Sequence, residues 1–385
     1  MFGALLAPAA LSLLAVMFTD AKERAKAFGI YGAIAGGGSA VGFILGGVLT
    51  EYLDWRWTFF VTIPFAIVAA AGAFFVVREP EGGRNRSPLD IPGVVLSTLG
   101  LVCLVYGFTR AESDGWGDTT TISLFVAAVV LLLAFVLTEA KVKAPLLPLR
   151  VVTDRNRGGV YLSLGIAVIA MFGTFLFLTY YLQVVKGYSP VKSGFCFLPM
   201  VAGIMVGSTQ IGTRLMTRVP ARFLMGSGFL VAGVGLFLLA QLEIGSSYAS
   251  TVLPALVLLG LGMGTTFNPA MSLPTLGIEP REAGVASAMV NTSQQVGGAI
   301  GTALLNTIAA SATTLYVQDH IADAATKPQQ QLVQLQGVVH GYTNAIWFAV
   351  GMLMLAALIA LVLINAGHAG SEGVEDEVAV PVVAH

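Results

Sequence analysis

The stretch "GGGSAVGFILGGVLTEYLDWRW", residues 36–57, holds six glycines in its first twelve positions and ends in a cluster of charge and tryptophan. On a helix, Gly38, Gly42 and Gly46 share one face because they recur every four residues, and Gly47 widens that face. Small residues at this spacing let another helix backbone approach closely inside a membrane. The face is predicted to be either static packing or a seam on which two helix bundles meet and part.

The composition places the chain in lipid. Of its 385 residues, 56% are hydrophobic and 11% are charged, and the mean hydropathy is +0.82. These values lie far from those of soluble domains. Runs of roughly 20 apolar residues, enough to cross about 30 Å of hydrocarbon, occur eleven times, at 1–18, 28–50, 58–77, 91–109, 121–138, 158–183, 194–213, 223–242, 250–270, 284–310 and 343–364. The chain is therefore predicted to be an all-α polytopic membrane protein with 11 transmembrane helices. The lipid bilayer is then one of its partners.

The distribution of Lys and Arg predicts the orientation. Alternate loops hold 15 basic residues on one side and 5 on the other, and the richer side is expected to face the cytoplasm. The C-terminus of this cell-membrane protein is then cytoplasmic and Met1 is outside. A first helix that opens at Met1 without a basic flank leads us to expect further residues upstream.

The loops suggest an organisation into two bundles. Residues 139–157 form the most basic connection, predicted to link the bundles, whereas 311–342 are predicted to form one long, polar, partly helical external loop. The acidic tail is predicted to be disordered. Cys103 and Cys196 are interpreted as apolar core residues. The sequence has no P-loop and no metal-ligand cluster, so neither ATP, nucleic acid nor a metal is an expected partner.

Several motifs resemble those of the fourteen-span drug:proton antiporters of the major facilitator superfamily. The glycine stretch, beginning at Gly29 and continuing through Gly38, Gly42, Gly46 and Gly47, is similar to the antiporter motif, and "LDWRWTFFVTIPFA" is similar to the turn that follows it. Further matches are "DIPGVVLSTLGLVCLVYG" from residue 90, "YLQVVKGYSPVKSGFCFLP" at 181–199 and "GVASAMVNTSQQVGGAIGTALLNT" at 284–307. Together these motifs cover nearly the whole chain in order.

The resemblance implies the major facilitator fold. Its parts are three helices of the N-terminal bundle (1–77), a loop and two extra linking helices (78–138), a linker (139–157), a six-helix C-terminal bundle (158–366) and a tail (367–385). The family's first three helices, and the arginine of its fourth, have no counterpart here. The family's activity is export of hydrophobic, often cationic, compounds in exchange for protons, with the proton gradient as energy source and no cofactor.

The sequence departs from the family pattern at two places. Phe43 stands where the antiporter motif usually has proline, so the aromatic ring is predicted to fill the cavity side of its helix. The turn "GTRLMTRVPAR", residues 212–222, resembles the family's gating loop at Gly212, Arg218 and Arg222. Thr217 replaces the usual aspartate, which leaves the loop's acid-base latch in doubt.

Polar and aromatic side chains inside the spans are the candidates for a substrate cavity. On the span 284–310 a helical stripe is formed by Asn291, Gln295, Gly298 and Thr302, with Gln294 and Asn306 beside it. The alternative for this stripe is interhelical hydrogen bonding, worth about 0.6 kcal/mol per contact. The remaining candidates are Phe172, Phe175, Gln183, Met200 and Gln210. Tyr180 and Tyr181 favour an aromatic belt at the membrane surface.

A secondary transporter fits these features best, because two bundles, a central linker and glycine-rich interfaces are typical of that class. A polytopic enzyme or a channel lacks support from any acid-base cluster or charged ring. No span contains Asp, Glu or His, so the chain alone is not expected to couple transport to protons. It is then a fragment or a non-transporting subunit, unless an acid at a helix end, such as Asp90 or Glu139, takes that role.

Overall fold

The computed structural model of the protein describes residues 21–76, 90–142, 145–216, 218–278, 282–323 and 326–365, with positions 13, 17 and 18 before them. Within these ranges the regular structure is helical. The predicted first span, the acidic tail and Thr217 lie outside the described residues.

The described helices are numbered in chain order. They are α1 Ala21–Tyr52, α2 Trp57–Phe60, α3 Thr62–Val76, α4 Ile91–Asp114, α5 Thr119–Glu139, α6 Leu149–Thr153, α7 Arg155–Tyr180, α8 Pro190–Cys196, α9 Leu198–Val206, α10 Thr213–Leu215, α11 Ala221–Leu239, α12 Leu253–Ser272, α13 Ala283–His320 and α14 Lys327–Leu363. Single π-helical segments lie at Tyr181–Val185, Gly207–Gly212 and Tyr248–Val252.

Nine segments of the described chain are long and apolar enough to cross a membrane. They agree with nine of the eleven predicted spans. The predicted span 28–50 lies within α1, and the span 1–18 lies almost entirely outside the described residues. The polytopic all-α class is confirmed, and the count of 11 stays a prediction.

Side-chain caps fix several of the helix starts. Asp90 accepts a hydrogen bond from the Gly93 amide, Asp118 from two amides of the first turn of α5, and Asp154 from the Arg157 amide. Each carboxylate satisfies amides that have no partner inside their own helix. Three of the described spans therefore begin with a short acidic side chain at their polar end.

The prediction of one long, partly helical loop over 311–342 is confirmed in its helical part and wrong in its long loop. Helix α13 continues to His320 and α14 begins at Lys327, so the loop shrinks to a short connection. Thr326 and Gln329 form a reciprocal capping box at the start of α14. The polar residues on either side extend two membrane helices beyond the apolar part of each.

The core lies in the second half of the chain. Helices α7 to α14 pack into one bundle, and its buried cluster runs from Val160 to Ile364. The hairpin of α4 and α5 contacts α13, while α1 packs against α8 and α9. All described side chains of α3 are exposed.

Helix α12 packs very closely against helices on two sides. A Cβ built at Gly264 would lie 2.8 Å from the Ile204 Cα of α9, and one at Gly262 would lie 2.8 Å from the Ala232 Cβ of α11. Real Cβ contacts are longer than 3.0 Å. Here the missing side chains let helix backbones touch.

Candidate functional site

An apolar cavity of about 510 Å³ lies between α1 and the bundle. Its wall comes from α1, α7, α9, the π-helical segment after α9, α12 and α13. The lining residues are Ser39, Phe43, Leu164, Val168, Met171, Phe172, Phe175, Met200, Val201, Ile204, Ser208, Met263, Thr266, Phe267, Ala270, Met271 and Gln294. The volume is that of a site for a drug-sized molecule.

Two helical faces make most of this wall. Helix α12 contributes residues at positions 263, 266, 267, 270 and 271, the spacing of one face of an α-helix. Helix α7 contributes a similar face from Leu164 to Phe175. The α12 face was missed in the sequence, although its i, i+3, i+4, i+7, i+8 spacing was a signal that could have found it.

Three aromatic rings stack together beside the cavity. The ring centroid of Phe43 lies 5.3 Å from that of Phe175 and 5.3 Å from that of Phe197, and Phe175 and Phe197 are 4.7 Å apart. The cluster joins α1 to two parts of the bundle. Phe43 thus takes the cavity-facing place predicted for it.

Polar side chains in the wall are few, and two of the four donate hydrogen bonds to the backbone of their own segment. The Thr266 hydroxyl donates to the Met263 carbonyl at 2.8 Å and the Ser208 hydroxyl to the Met205 carbonyl at 3.3 Å. Behind them, the buried amide of Asn268 donates to the Ser208 carbonyl and to the Thr213 hydroxyl, both at 2.8 Å. Asn268 therefore holds the π-helical segment Gly207–Gly212 against α12, and such segments occur often at functional sites.

The structure brings together only part of the predicted cavity set. Phe172, Phe175, Met200 and Gln294 line the cavity, as does Phe43. The others predicted, Asn291, Gln295, Thr302, Gln183 and Gln210, are not among its lining residues.

Helix geometry explains why Asn291, Gln295 and Thr302 of α13 are not among the lining residues of the cavity. The Asn291 amide donates to the Ser287 carbonyl at 3.1 Å and the Thr302 hydroxyl to the Gly298 carbonyl at 2.8 Å, so both bond within their own helix. Gln295 is exposed. The inward face instead carries Gln294 and Gly298, the latter with the ring of Phe172 3.5 Å from a built Cβ.

Of the glycines predicted to form the seam on α1, Gly47 makes a close contact and Gly38, Gly42 and Gly46 do not. A Cβ built at Gly38, Gly42 or Gly46 meets nothing within 4 Å, whereas one at Gly47 would lie 2.8 Å from the Pro190 carbonyl oxygen. The prediction that the three glycines form the contact with the bundle is therefore wrong. Gly29 lies outside the residues whose burial the structure describes.

The contact face of α1 consists of Ser39, Phe43, Gly47 and Glu51, four residues apart in each case. Ser39 and Phe43 reach the cavity, Gly47 touches the start of α8, and a Glu51 carboxylate oxygen accepts the Val191 amide at 2.9 Å. We call these four residues the seam face.

The predicted gating loop lies at the end of the bundle where the 139–157 linker runs. Gly212 ends the π-helical segment, Arg218 is exposed, and an Arg222 guanidinium nitrogen donates to the Asn365 side-chain oxygen at 3.2 Å. At the same end, Arg150 pairs with Glu282 at 2.6 Å. The gating role of these residues stays a prediction.

A helical protein with nine apolar spans among its described residues and a drug-sized apolar cavity has the architecture of a membrane transporter. The chain belongs to the Major Facilitator Superfamily, whose family model matches residues 1–302. The resemblance to this superfamily is thereby confirmed. Among the described residues, no group of three His, Cys, Asp or Glu side chains could hold a metal ion.

Three relatives carry names that describe resistance or export. The chain is 50% identical to the puromycin resistance protein of Streptomyces alboniger, over 94% of this chain and 71% of that protein. It is 35% identical to the cephamycin export protein of Amycolatopsis lactamdurans, over 81% and 64%. It is 32% identical to the tetracenomycin C resistance and export protein of Streptomyces glaucescens, over 84% and 60%. The chain therefore spans less than two thirds of the latter two.

Proposed function

We propose that this chain exports hydrophobic small molecules through the cavity in exchange for protons. The observation that carries the proposal is the cavity lining: four phenylalanines, four methionines and aliphatic side chains, with four polar side chains among them. Such a wall binds apolar molecules and uses a few polar groups to orient them. None of its lining residues is charged, so a bound molecule is held by shape and apolar contact.

The methionines support a broad substrate range. Met171, Met200, Met263 and Met271 stand on three helices around the cavity, and an unbranched thioether side chain adapts to differently shaped partners. The three relatives are named for three different antibiotics. We infer antibiotic-like compounds as the substrate class here, with no enzymatic step and no use of ATP.

The cavity lining supports neither proton exchange nor the orientation of the chain in the membrane, and each rests on its own observation. The family resemblance implies protons as the driving ion, and the cavity lining offers no titratable Asp, Glu or His. Proton exchange by this chain therefore requires an acid at a helix end, such as Asp90 or Glu139, in that role. The asymmetry of 15 to 5 basic residues favours a cytoplasmic C-terminus and linker.

The proposal is tested in a bacterium that lacks its own exporters, with puromycin as probe. Cells that express the chain are expected to accumulate less puromycin, and a protonophore should restore accumulation. Ile204→Trp fills the cavity and should abolish the difference. Val234→Trp, on an exposed position of α11, is the matched control. Accumulation that neither the chain nor Ile204→Trp changes would refute export; puromycin binding by the purified chain without efflux would favour the alternative of a non-transporting subunit.

Binding should depend on the aromatic cluster. Phe43→Ala removes a ring from the cavity wall and its contacts with Phe175 and Phe197. One aromatic contact to a bound molecule is worth about 0.5–1.5 kcal/mol, so the affinity of the purified chain for puromycin is expected to fall by up to about tenfold. Phe237→Ala is the control, because it also removes a ring contact, to Trp347, but on α11 away from the cavity. Equal affinities of the two variants in equilibrium dialysis would place the ligand elsewhere.

A further inference from the structure

Two buried carboxyl groups meet at the base of the α4–α5 hairpin. Asp90 is 8% exposed and Glu139 is 3% exposed. One oxygen of each has a partner: Asp90 Oδ1 accepts the Gly93 amide at 3.0 Å, and Glu139 Oε2 accepts the Leu147 amide at 3.0 Å. The other oxygens, Asp90 Oδ2 and Glu139 Oε1, are buried and have no hydrogen-bond partner among the described residues.

The two unpartnered oxygens point at the same place. A Cβ built at Gly93 would lie 2.5 Å from Asp90 Oδ2 and 2.5 Å from Glu139 Oε1. Only the missing side chain of Gly93 leaves room for both atoms there. The pair thus consists of two acceptors beside Gly93 with no donor among the described residues.

Two such acceptors cannot both be ionised cheaply. Burial disfavours each carboxylate, and a second negative charge in the same site disfavours it further. A single proton removes one charge and also supplies the missing donor. From this geometry we infer that Asp90 and Glu139 form a proton-binding site, in which one proton is shared between Asp90 Oδ2 and Glu139 Oε1.

Among the described residues, no charged group on the surrounding elements takes the place of that proton. On the chain after α5, Lys141 is exposed, and Arg150 on α6 pairs with Glu282. The far ends of the hairpin hold Arg110, Asp114 and Asp118. Helix α13 packs on α4. Glu282 stands at the start of α13, and Asp319 and His320 stand at its other end.

The shared proton has a structural consequence. Glu139 holds the Leu147 amide in the linker that leads to the bundle, and Asp90 caps α4. The folded pair keeps a proton that two separate carboxyls of the unfolded chain release above about pH 4. Stability from this site is therefore fully present at low pH and is lost as pH rises, by up to about tenfold in the unfolding constant per pH unit for one proton. This inference does not depend on transport.

Infrared spectroscopy of the purified chain in detergent tests the site directly. The parent at neutral pH should show the carbonyl band of a protonated carboxylic acid, and both Asp90→Asn and Glu139→Gln should lose it. Either amide supplies a permanent donor to the remaining carboxylate, so each variant should also lose the pH dependence of denaturant unfolding between about pH 5 and pH 8. The two variants each change one partner of the pair. If one of them fails to fold, the other still tests the site.

Asp118→Asn is the matched control. Asp118 caps the other helix of the same hairpin, but it is only partly buried, and the hydrogen bond from the Thr121 amide lowers the pKa of its carboxyl. This variant should retain both the protonated carboxyl band and the pH dependence. A parent without that band at neutral pH, or a band that survives in Asp90→Asn and Glu139→Gln alike, would overturn the inference.

Discussion

Gly262→Ala is expected to destabilise the protein by about 1–3 kcal/mol, the usual cost of an overpacked core. Its new Cβ would meet the Gly228 carbonyl oxygen and the Ala232 amide of α11 in addition to the Ala232 Cβ at 2.8 Å. Backbone atoms cannot turn aside as a flexible side chain does. Because α9 lies against the other side of α12 through Gly264, α12 cannot shift away from α11 without a second clash.

Gly351→Ala is the control for this prediction. Gly351 lies in α14, and a Cβ built there meets nothing within 4 Å. Alanine is favoured over glycine in a helix by up to about 1 kcal/mol, so this variant should be as stable as the parent or more so. The measurement is denaturant unfolding in mixed micelles. A Gly262→Ala variant that matches the parent would show that α11 and α12 do not pack as closely as described.

Hydropathy predicted most of the architecture because lipid imposes a simple rule on it. Every spanning backbone must satisfy its own hydrogen bonds, so a long apolar run becomes a helix. The rule says nothing about polar residues beyond the membrane. For that reason much of a stretch predicted as loop is helical: α13 continues to His320, and α14 begins at Lys327. A capping box, rather than the loss of hydrophobicity, sets the start of α14.

The site was harder to predict because a sequence specifies the residues of a helix face but not its direction. Successive residues turn by about 100°, so one position decides whether Gln294 or Gln295 faces inward. The polar stripe on α13 was predicted to line the cavity because polar side chains are rare in a span. The cavity instead uses the unremarked apolar face of α12, from Met263 to Met271, which resembles ordinary core in composition.

The same one-residue difference separates the predicted seam from the seam face. Spacing alone identifies Gly38, Gly42 and Gly46 as a stripe, and the next stripe round the helix is the one in contact. The deciding partner is α8, seven residues long and capped by Ser189. Nothing within residues 36–57 records where that short helix lies.

Gly47→Leu is therefore expected to part α1 from α8, and Gly42→Leu is not. A Cβ at Gly47 would lie 2.8 Å from the Pro190 oxygen and 2.9 Å from the Val191 Cα, whereas one at Gly42 meets open space. The Val191 amide lies in the first turn of α8, where it has no partner within its own helix, and its hydrogen bond to Glu51 depends on the seam. Overpacking of about 1–3 kcal/mol corresponds to roughly tenfold faster hydrogen–deuterium exchange at that amide. Mass spectrometry of the peptide that spans residues 190–197 measures this, with the parent and Gly42→Leu as references. If Gly42→Leu raises exchange as much as Gly47→Leu, the three-glycine stripe is the seam after all, and the contact face of α1 is rotated by one residue from its place in this structure.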